Sequence, residues 1–232
     1  MANTSGPSEE SSDNESIHNG VDLYSCIQSE IVTNAQVLGG QEFVPVDKME
    51  ILLTRENIVS ALFQSELQPN KSLVEFVLQK ASRAFLTLVR GNCVKAIERF
   101  HEKGFDDSKL PVGKESPPKD QPTDNKIFRW KVGQLDERTD GLRPGHFSAF
   151  KHFKPTEVDA FVRNQWLFLA AEFNKDIFVY QLHKHRPLPF LASDEKGSTT
   201  KGGHFSTVHR VKVHSAYAND EVFKQVRNFG YI

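Results

Sequence analysis

The chain has 232 residues, of which 38% are hydrophobic and 18 are phenylalanine, so it is long enough to bury the core of one or two domains. Its formal net charge of −1 gives no electrostatic reason to expect DNA, RNA or an anionic membrane as a partner. Two cysteines cannot form a disulfide framework, and residues 1–19 lack the basic and apolar stretches of a signal peptide. No apolar run is long enough to span a membrane. Composition therefore predicts an intracellular protein, cytoplasmic or nuclear.

The N-terminal part of the chain is poor in large apolar side chains. Residues 1–20 are rich in Ser, Glu, Asn and Gly, and such a segment cannot bury enough surface to offset the entropy it would lose on ordering. We therefore expect a disordered acidic tail there. Residues 21–48 mix short apolar runs with Gly39, Gly40 and Pro45, and the sequence leaves their structure poorly defined.

A helical pattern begins at Met49. One amphipathic helix is expected before Pro69, because apolar residues recur on one face: Ile51, Leu52, Ile58, Leu62 and Phe63. A second helix is expected to begin at a capping box formed by Ser72 and Glu75 and to stop at Gly91. It has apolar residues at spacings of three and four, namely Leu73, Phe76, Val77, Ala81, Ala84, Phe85, Leu88 and Val89.

A third, shorter helix should end at Gly104 and carry the apolar residues Val94, Ile97 and Phe100. Because the connections are short, the three helices should pack against each other as a helical unit over residues 49–112. Residues 113–126 contain three prolines, Pro117, Pro118 and Pro122, together with several charged residues, which predicts a linker.

Residues 127–185 are expected to combine strand and helix. Residues 127–130 favour a short strand, and Thr156 should begin a helix whose first turn carries Glu157 and Asp159. Residues 177–180 favour another strand. The tryptophans and the Phe-rich stretch 147–173 are most simply core aromatics, with a groove for a partner protein as the alternative.

The C-terminal part of the chain contains a glycine-rich turn between two β-like runs. Leu188-Pro189-Phe190-Leu191 favours a first strand, and residues 209–214 favour a second. The turn between them is Lys201-Gly202-Gly203-His204-Phe205-Ser206-Thr207-Val208. A protein kinase covers nucleotide phosphates with this arrangement, because glycines adopt backbone angles that side chains disfavour and let amides approach the phosphate oxygens.

The match to that pattern is partial. Gly203, Phe205 and Val208 have the spacing of the middle glycine, the aromatic residue near the tip and the valine over the adenine. Lys201 stands where the first glycine belongs, which places a long side chain at the tightest approach to the phosphates. Ser206 replaces the third glycine, a milder change because a small side chain still fits.

Residues 186–232 resemble the beginning of the kinase domain in kinase-domain proteins of filamentous fungi. There a Leu-Pro-Phe strand leads into a Gly-Gly-x-Phe loop and a Val-Lys-Val-His strand, and residues 165–170 more loosely resemble the region that precedes that domain. The resemblance implies an α+β fold, with a mainly helical N-terminal region followed by a partial antiparallel sheet. It also implies a Ser/Thr kinase-like protein whose full-length relatives use ATP with Mg²⁺. The implied nucleotide-binding residues are Gly202, Gly203, His204, Phe205, Ser206 and Val208.

The chain ends at Ile232, before the strand that in this family carries a lysine in an Ala-x-Lys setting. The catalytic aspartate, the metal-binding asparagine and the Asp-Phe-Gly motif have no counterpart in the sequence either. Phosphoryl transfer depends on those groups together with Mg²⁺. We therefore expect a truncated kinase N-lobe over residues 186–232, with no catalytic residues and no ATP bound by this chain alone.

Other interpretations remain open. An ordinary β-hairpin with a Gly-Gly turn would explain the motif without a nucleotide. A non-catalytic helical module with a β-tail, binding a protein partner through the helical region, would explain why helices dominate the chain. His183 and His185 would share one face of a strand, but no further ligand joins them at a suitable spacing, so we expect no metal site. Cys93 is expected to fill the core rather than act as a nucleophile.

Overall fold

The computed structural model describes residues 22–114, 127–129, 147–173, 180, 182–192, 201–202, 207–208 and 211–218. Within these residues it contains seven α-helices and four two-stranded antiparallel sheets, which confirms the α+β prediction in its coarse form. None of the helices in this part of the chain is long and apolar enough to cross a membrane. The predicted tail, residues 1–20, and most of the predicted linker lie outside the described residues.

The helices and strands follow one another from a mainly helical part to a β-rich part. The helices are α1 (Leu23–Ser29), α2 (Val46–Leu52), α3 (Arg55–Gln64), α4 (Lys71–Lys80), α5 (Ser82–Arg90), α6 (Ala96–Glu102) and α7 (Pro155–Asn164). The strands are β1 (Val32–Thr33), β2 (Glu42–Phe43), β3 (Val112–Lys114), β4 (Ile127–Arg129), β5 (Phe190–Ala192), β6 (Lys201–Gly202), β7 (Thr207–Val208) and β8 (Val211–Val213). Single 3-10 turns lie at Gln36–Leu38, Asp107–Lys109, Ser148–Phe150, Gln165–Phe168 and Ser215–Tyr217.

The segment that the sequence left poorly defined contains a helix and a hairpin. Helix α1 begins because the Asp22 carboxylate accepts hydrogen bonds from the backbone amides of Tyr24, at 3.1 Å, and Ser25, at 3.3 Å. Strands β1 and β2 then pair with Val32 opposite Phe43. Leu23, Ile27 and Phe43 are buried, so this segment is part of the folded body.

The single helix predicted before Pro69 is wrong, because the chain forms α2 and α3 with a break at residues 53–54. The hydroxyl oxygen of Thr54 accepts a hydrogen bond from the backbone amide of Asn57 at 3.2 Å and so caps a new helix. The break changes which apolar side chains face inward. Ile58 is fully buried, whereas Ile51 is 65% exposed and Phe63 is 51% exposed.

The second predicted helix is also two helices, α4 and α5, with the break at Ala81. Helix α4 is capped by the side-chain oxygen of Asn70, which accepts from the backbone amide of Leu73 at 2.8 Å. The predicted capping box of Ser72 and Glu75 is therefore wrong. The Glu75 carboxylate instead pairs with the side chains of Arg55 and Gln79.

Helix α5 is capped from a distant part of the chain. The Asp107 carboxylate accepts hydrogen bonds from the backbone amides of Arg83, at 2.9 Å, and Ala84, at 2.8 Å. These amides would otherwise be bonded to carbonyl groups of α4. A carboxylate 23 residues further along the chain thus ends one helix and begins the next.

The remaining local predictions agree better with the structure. The third helix is confirmed as α6, which ends just before Gly104. The strand predicted at residues 127–130 is confirmed as β4, which pairs with β3. Helix α7 begins at Pro155, where the Glu157 carboxylate accepts from the backbone amide of Lys154 at 2.7 Å, and it ends at Asn164 before a 3-10 turn. Of the strand predicted at 177–180, residues 177–179 lie outside the described residues.

One hydrophobic core joins residues from Leu23 to Leu169. Phe100 lies at its centre, with ring-centroid distances from 4.5 to 5.9 Å to four other rings: Phe105, Phe150, Phe153 and Phe161. Gln165 is fully buried there, with its amide group bonded to both the N–H and the C=O of Val112. The core thus contains side chains from the predicted helical unit and from the 127–185 segment.

Candidate functional site

The two β-like runs around the glycine-rich turn are paired strands. In the β5–β8 pair, Phe190 lies opposite Val213 and Ala192 lies opposite Val211. In the β6–β7 pair, Lys201 lies opposite Val208 and Gly202 lies opposite Thr207. Both pairs are antiparallel, so β5 and β6 each pair with a strand that runs back in the opposite direction, β8 and β7 respectively.

The pairing locates the predicted nucleotide-binding residues along this hairpin. Gly202 and Val208 belong to the paired strands, whereas Gly203, His204, Phe205 and Ser206 lie outside the described residues. Those four residues connect Gly202 to Thr207, so they form the connection between two antiparallel strands. Val208, the residue expected at the adenine, lies directly across the ladder from Lys201, at the first-glycine position of the kinase pattern.

The two arms of the hairpin differ in length. Eight residues, 193–200, separate Ala192 from Lys201 on the outgoing arm, whereas only residues 209–210 separate Val208 from Val211 on the returning arm. The ladder therefore cannot continue in one register from β5–β8 to β6–β7. The glycine-rich end and the base of the hairpin are two separately paired pieces.

The base of the hairpin is held by hydrogen bonds from the segment that follows β1 to its backbone carbonyls. The Ala35 amide donates to the Phe190 carbonyl at 2.8 Å, and the Asn34 side-chain amide donates to the Leu188 carbonyl at 3.3 Å. Asn34 is only 3% exposed, and its side-chain oxygen accepts from the Gln41 amide at 2.7 Å. A buried asparagine with both ends satisfied fixes its neighbours in place.

A small second core lies at the same junction. Its fully or nearly buried members are Phe43, Ala170 and Tyr217, and the hairpin residues Leu191 and Val213 pack against them. The Phe43 ring makes edge-on contacts with His214, at 5.9 Å between centroids, and with Tyr217, at 6.0 Å. Strands β5 and β8 are therefore attached by apolar packing as well as by hydrogen bonds.

Charged groups surround this second core. Arg83 of α5 forms an ion pair with Glu172 at 2.6 Å, and the Nε atom of Arg186 donates to the Leu169 carbonyl at 3.0 Å. Burial lowers the pKa of Arg186, although Glu172 acts in the opposite direction. Burial raises the pKa of Tyr217 to about 12, with the Glu172 charge adding to the effect. The junction between body and hairpin thus contains both apolar and ionic contacts.

The other candidate residues do not form catalytic or metal sites in the described part of the chain. His183 lies in no strand, and its ring stacks on Trp166 at 4.6 Å with an interplanar angle of 6°. Among the described residues, no group of three or more His, Cys, Asp or Glu side chains is placed to hold a metal ion. Cys93 is buried, and burial, followed by the Glu157 charge, raises its pKa to about 12. Its thiol is protonated at neutral pH and is a poor nucleophile.

Sequence patterns could not have found the residues that hold the hairpin. Asn34 and Phe43 lie in the segment left poorly defined, and their partners Leu188 and Tyr217 are more than a hundred residues away. The only local indication was the apolar character of Phe43 and Tyr217, which many exposed residues share.

Comparison of the chain with protein-family models, curated proteins and solved structures finds no match. What the hairpin does is therefore inferred from its residues and their pairing.

Proposed function

We propose that residues 201–208 form a nucleotide-covering hairpin of the protein-kinase type in a Ser/Thr kinase-like protein. The single observation that carries this proposal is the antiparallel pairing of Lys201–Gly202 with Thr207–Val208. It makes the glycine-rich residues 203–206 the connection of a hairpin, where backbone amides can approach phosphate oxygens. Gly202, Gly203, His204, Phe205 and Ser206 would then lie along the phosphates and Val208 against the adenine.

The attachment of the hairpin base is consistent with such a role. Phosphoryl transfer is accelerated mainly by positioning and by neutralising charge, so a loop that covers phosphates needs a fixed support. Strands β5 and β8 have that support in the bonds from Ala35 and Asn34 and in the packing of Phe43 on Tyr217. The helical body would thus hold the hairpin at the edge of a nucleotide site.

We do not propose that this chain catalyses phosphoryl transfer by itself. ATP with Mg²⁺ would be the cofactor of a complete kinase, where Mg²⁺ neutralises the charge of the transferring phosphoryl group. Residues 1–232 contain neither a His-Arg-Asp nor an Asp-Phe-Gly sequence. We therefore propose that this chain contributes the phosphate-covering part of a nucleotide site and binds ATP weakly or not at all alone.

Grafting tests the proposal without requiring the chain to be active. The strand–loop–strand segment of an active Ser/Thr protein kinase is replaced by residues 186–218, and peptide phosphorylation is measured. A kinase-type hairpin should keep kcat/KM for ATP within about tenfold of the parent, a change of about 1.4 kcal/mol. The matched control carries Gly202→Val and Gly203→Val in the same graft and should lose activity. A graft that melts like the parent but shows no activity would contradict the proposal.

A second candidate function is a protein-interaction module in the helical region. The specific observation that favours it is the exposure of two large apolar side chains, Ile51 at 65% and Phe63 at 51%, on α2 and α3. The double variant Ile51→Ser, Phe63→Ser should lose a partner that cross-links to the native chain in cells, whereas Glu56→Ser on the exposed surface of α3 should keep it. Identical cross-linking by both variants would remove this candidate.

A further inference from the structure

A cleft of about 420 Å³ lies in the helical region, outside the hairpin. Four segments line it: the end of α3, the turn between α5 and α6, the helix α6, and residues 152–157. Its polar lining residues are Gln64, Ser65, Glu66, Asn92, Lys95, Arg99, His152 and Glu157. This volume is enough for a small molecule or the end of a flexible chain.

Both carboxylates of the cleft are already engaged. The Glu66 carboxylate accepts from the Lys95 ammonium at 2.5 Å, and the hydrogen bond from Lys95 holds the pKa of Glu66 below its usual range. The Glu157 carboxylate accepts from the backbone amide of Lys154 at 2.7 Å, as part of the start of α7. Each carboxylate therefore already has a hydrogen-bond donor within the protein and does not require one from a ligand.

Some hydrogen-bond donors that line the cleft have no partner among the described residues. Arg99 is half-buried, and its guanidinium makes no ion pair or hydrogen bond with any side chain or backbone group of the described residues. The side chains of His152 and Asn92 likewise have no hydrogen-bond partner in the part of the chain that the structure describes. After internal pairing, the cleft therefore presents donors, and above all a guanidinium with its fixed fork of N–H groups.

Two non-glycine residues at the cleft have the positive φ values that glycine adopts more easily. Glu66 has φ 58° and Asn92 has φ 52°, the positive φ values of non-glycine residues in the described part of the chain. Both residues follow the ends of helices, α3 and α5, where glycine is the usual residue. In this chain a carboxylate and an amide stand there instead, and both line the same cleft.

Part of the lining of the cleft is apolar. Cys93, Val94 and Phe153 belong to it and are buried. An anion held against this part is partly removed from water, which strengthens its bond to a guanidinium. The Glu157 carboxylate, whose charge also acts on Cys93, is the negative charge that such an anion must avoid.

We propose that this cleft binds an oxyanion, the phosphate or carboxylate group of a small ligand, with Arg99 as its principal partner. The guanidinium donates two N–H groups to two oxygens of the anion, and His152 and Asn92 donate from the rim. The site is separate from the proposed nucleotide hairpin and does not depend on it.

Titration of the full chain tests the proposal with two probes, inorganic phosphate and acetate, which distinguish the two sources of the oxyanion. We expect one of them to bind saturably in the millimolar range, with amide NMR shifts centred on residues 92–99. Arg99→Gln should weaken binding about tenfold or more, the value of a lost charge-assisted hydrogen bond. Arg163→Gln, at an exposed arginine of α7 outside the cleft, should leave binding unchanged.

Two further results decide the matter. If Arg99→Gln fails to fold, Arg99→Lys takes its place, since it keeps the charge but loses the two-pronged bond and should weaken binding measurably. The proposal is overturned if neither anion binds, if the Arg99 variants bind as tightly as the native chain, or if the NMR shifts map to the hairpin instead.

Discussion

The ring of Tyr217 meets the ring of Phe43 edge-on, with 6.0 Å between centroids and 74° between planes. Phe43 ends the hairpin β1–β2 near the beginning of the fold, and Tyr217 lies in the 3-10 turn after β8. This contact packs the beginning of the fold against the end of the glycine-rich hairpin. Loss of the contact should destabilise the attachment of the hairpin more than it destabilises the helical body.

The first prediction concerns Phe43. Phe43→Ala should lower the free energy of unfolding by about 3 kcal/mol, because it removes a fully buried ring and leaves a cavity. Urea unfolding measures this change, and amide hydrogen exchange should rise at β5 and β8 more than at α4. The matched control, Phe63→Ala at a half-exposed ring, should change stability by less than about 0.5 kcal/mol. Equal effects of the two variants would contradict the role of Phe43.

The second prediction concerns the carboxylate that separates α4 from α5. Asp107→Ala should lower the free energy of unfolding by about 2 kcal/mol, because the amides of Arg83 and Ala84 lose their acceptor. Thermal unfolding followed by circular dichroism measures the loss. Asp159→Ala removes an exposed carboxylate paired with Lys114 and should change stability by less than about 1 kcal/mol. The prediction would be contradicted if Asp107→Ala were as stable as Asp159→Ala.

The third prediction is a loss of stability at high pH. Burial raises the pKa of Tyr217 from 10.0 to about 12 in the folded chain, so the folded state holds this proton more tightly than the unfolded state. The stabilisation is fully present below pH 10 and decreases as the pH rises to about 12. Buried Cys93 acts with the same sign between pH 9.0 and about 12. Urea midpoints measured across this interval should therefore fall.

The variant Tyr217→Phe isolates the tyrosine contribution. It keeps the ring against Phe43 but has no proton to lose, so its urea midpoint should fall less steeply above pH 10 than that of the native chain. A small slope should remain from Cys93. Identical slopes for the two chains would mean that burial does not raise the pKa of Tyr217.

The fourth prediction concerns Lys201, which stands opposite Val208 at the first-glycine position. In the kinase graft, Lys201→Gly should lower the KM for ATP, because the long side chain no longer occupies the closest approach of the loop to the phosphates. Steady-state kinetics at varied ATP measures it, with Lys212→Gly on the exposed face of β8 as the control. A KM that rises on Lys201→Gly would show that the lysine binds the phosphates instead.

Local sequence patterns predicted the elements whose causes are local. Helix α6, strand β4 and the strands on both sides of the glycine-rich turn follow from apolar spacing and turn residues. The helices predicted to be single are broken, however, at Thr54 and at Ala81. Thr54 is a cap that competes with helix continuation, and at Ala81 the cause is a carboxylate from residue 107. Hydrophobic periodicity continues through both breaks, so it could not reveal them.

The candidate site likewise has one part that the sequence predicts and another that it does not. That Gly202 and Val208 belong to a hairpin was predictable, because glycines between two β-like runs favour a turn. The attachment through Asn34, Phe43 and Tyr217 was not, since it joins segments that are distant in the chain. The cleft at Arg99 combines four segments and has no sequence pattern at all.

The KM for ATP of the grafted kinase, measured with and without Gly203→Val, tests the proposed nucleotide hairpin most directly. If the loop covers phosphates, valine at this position should raise the KM for ATP about tenfold or more while the KM for the peptide stays the same. Thermal unfolding of the two grafts should coincide, which excludes misfolding as the cause. An unchanged KM for ATP in two equally stable grafts would contradict the claim that the glycine-rich turn binds nucleotide.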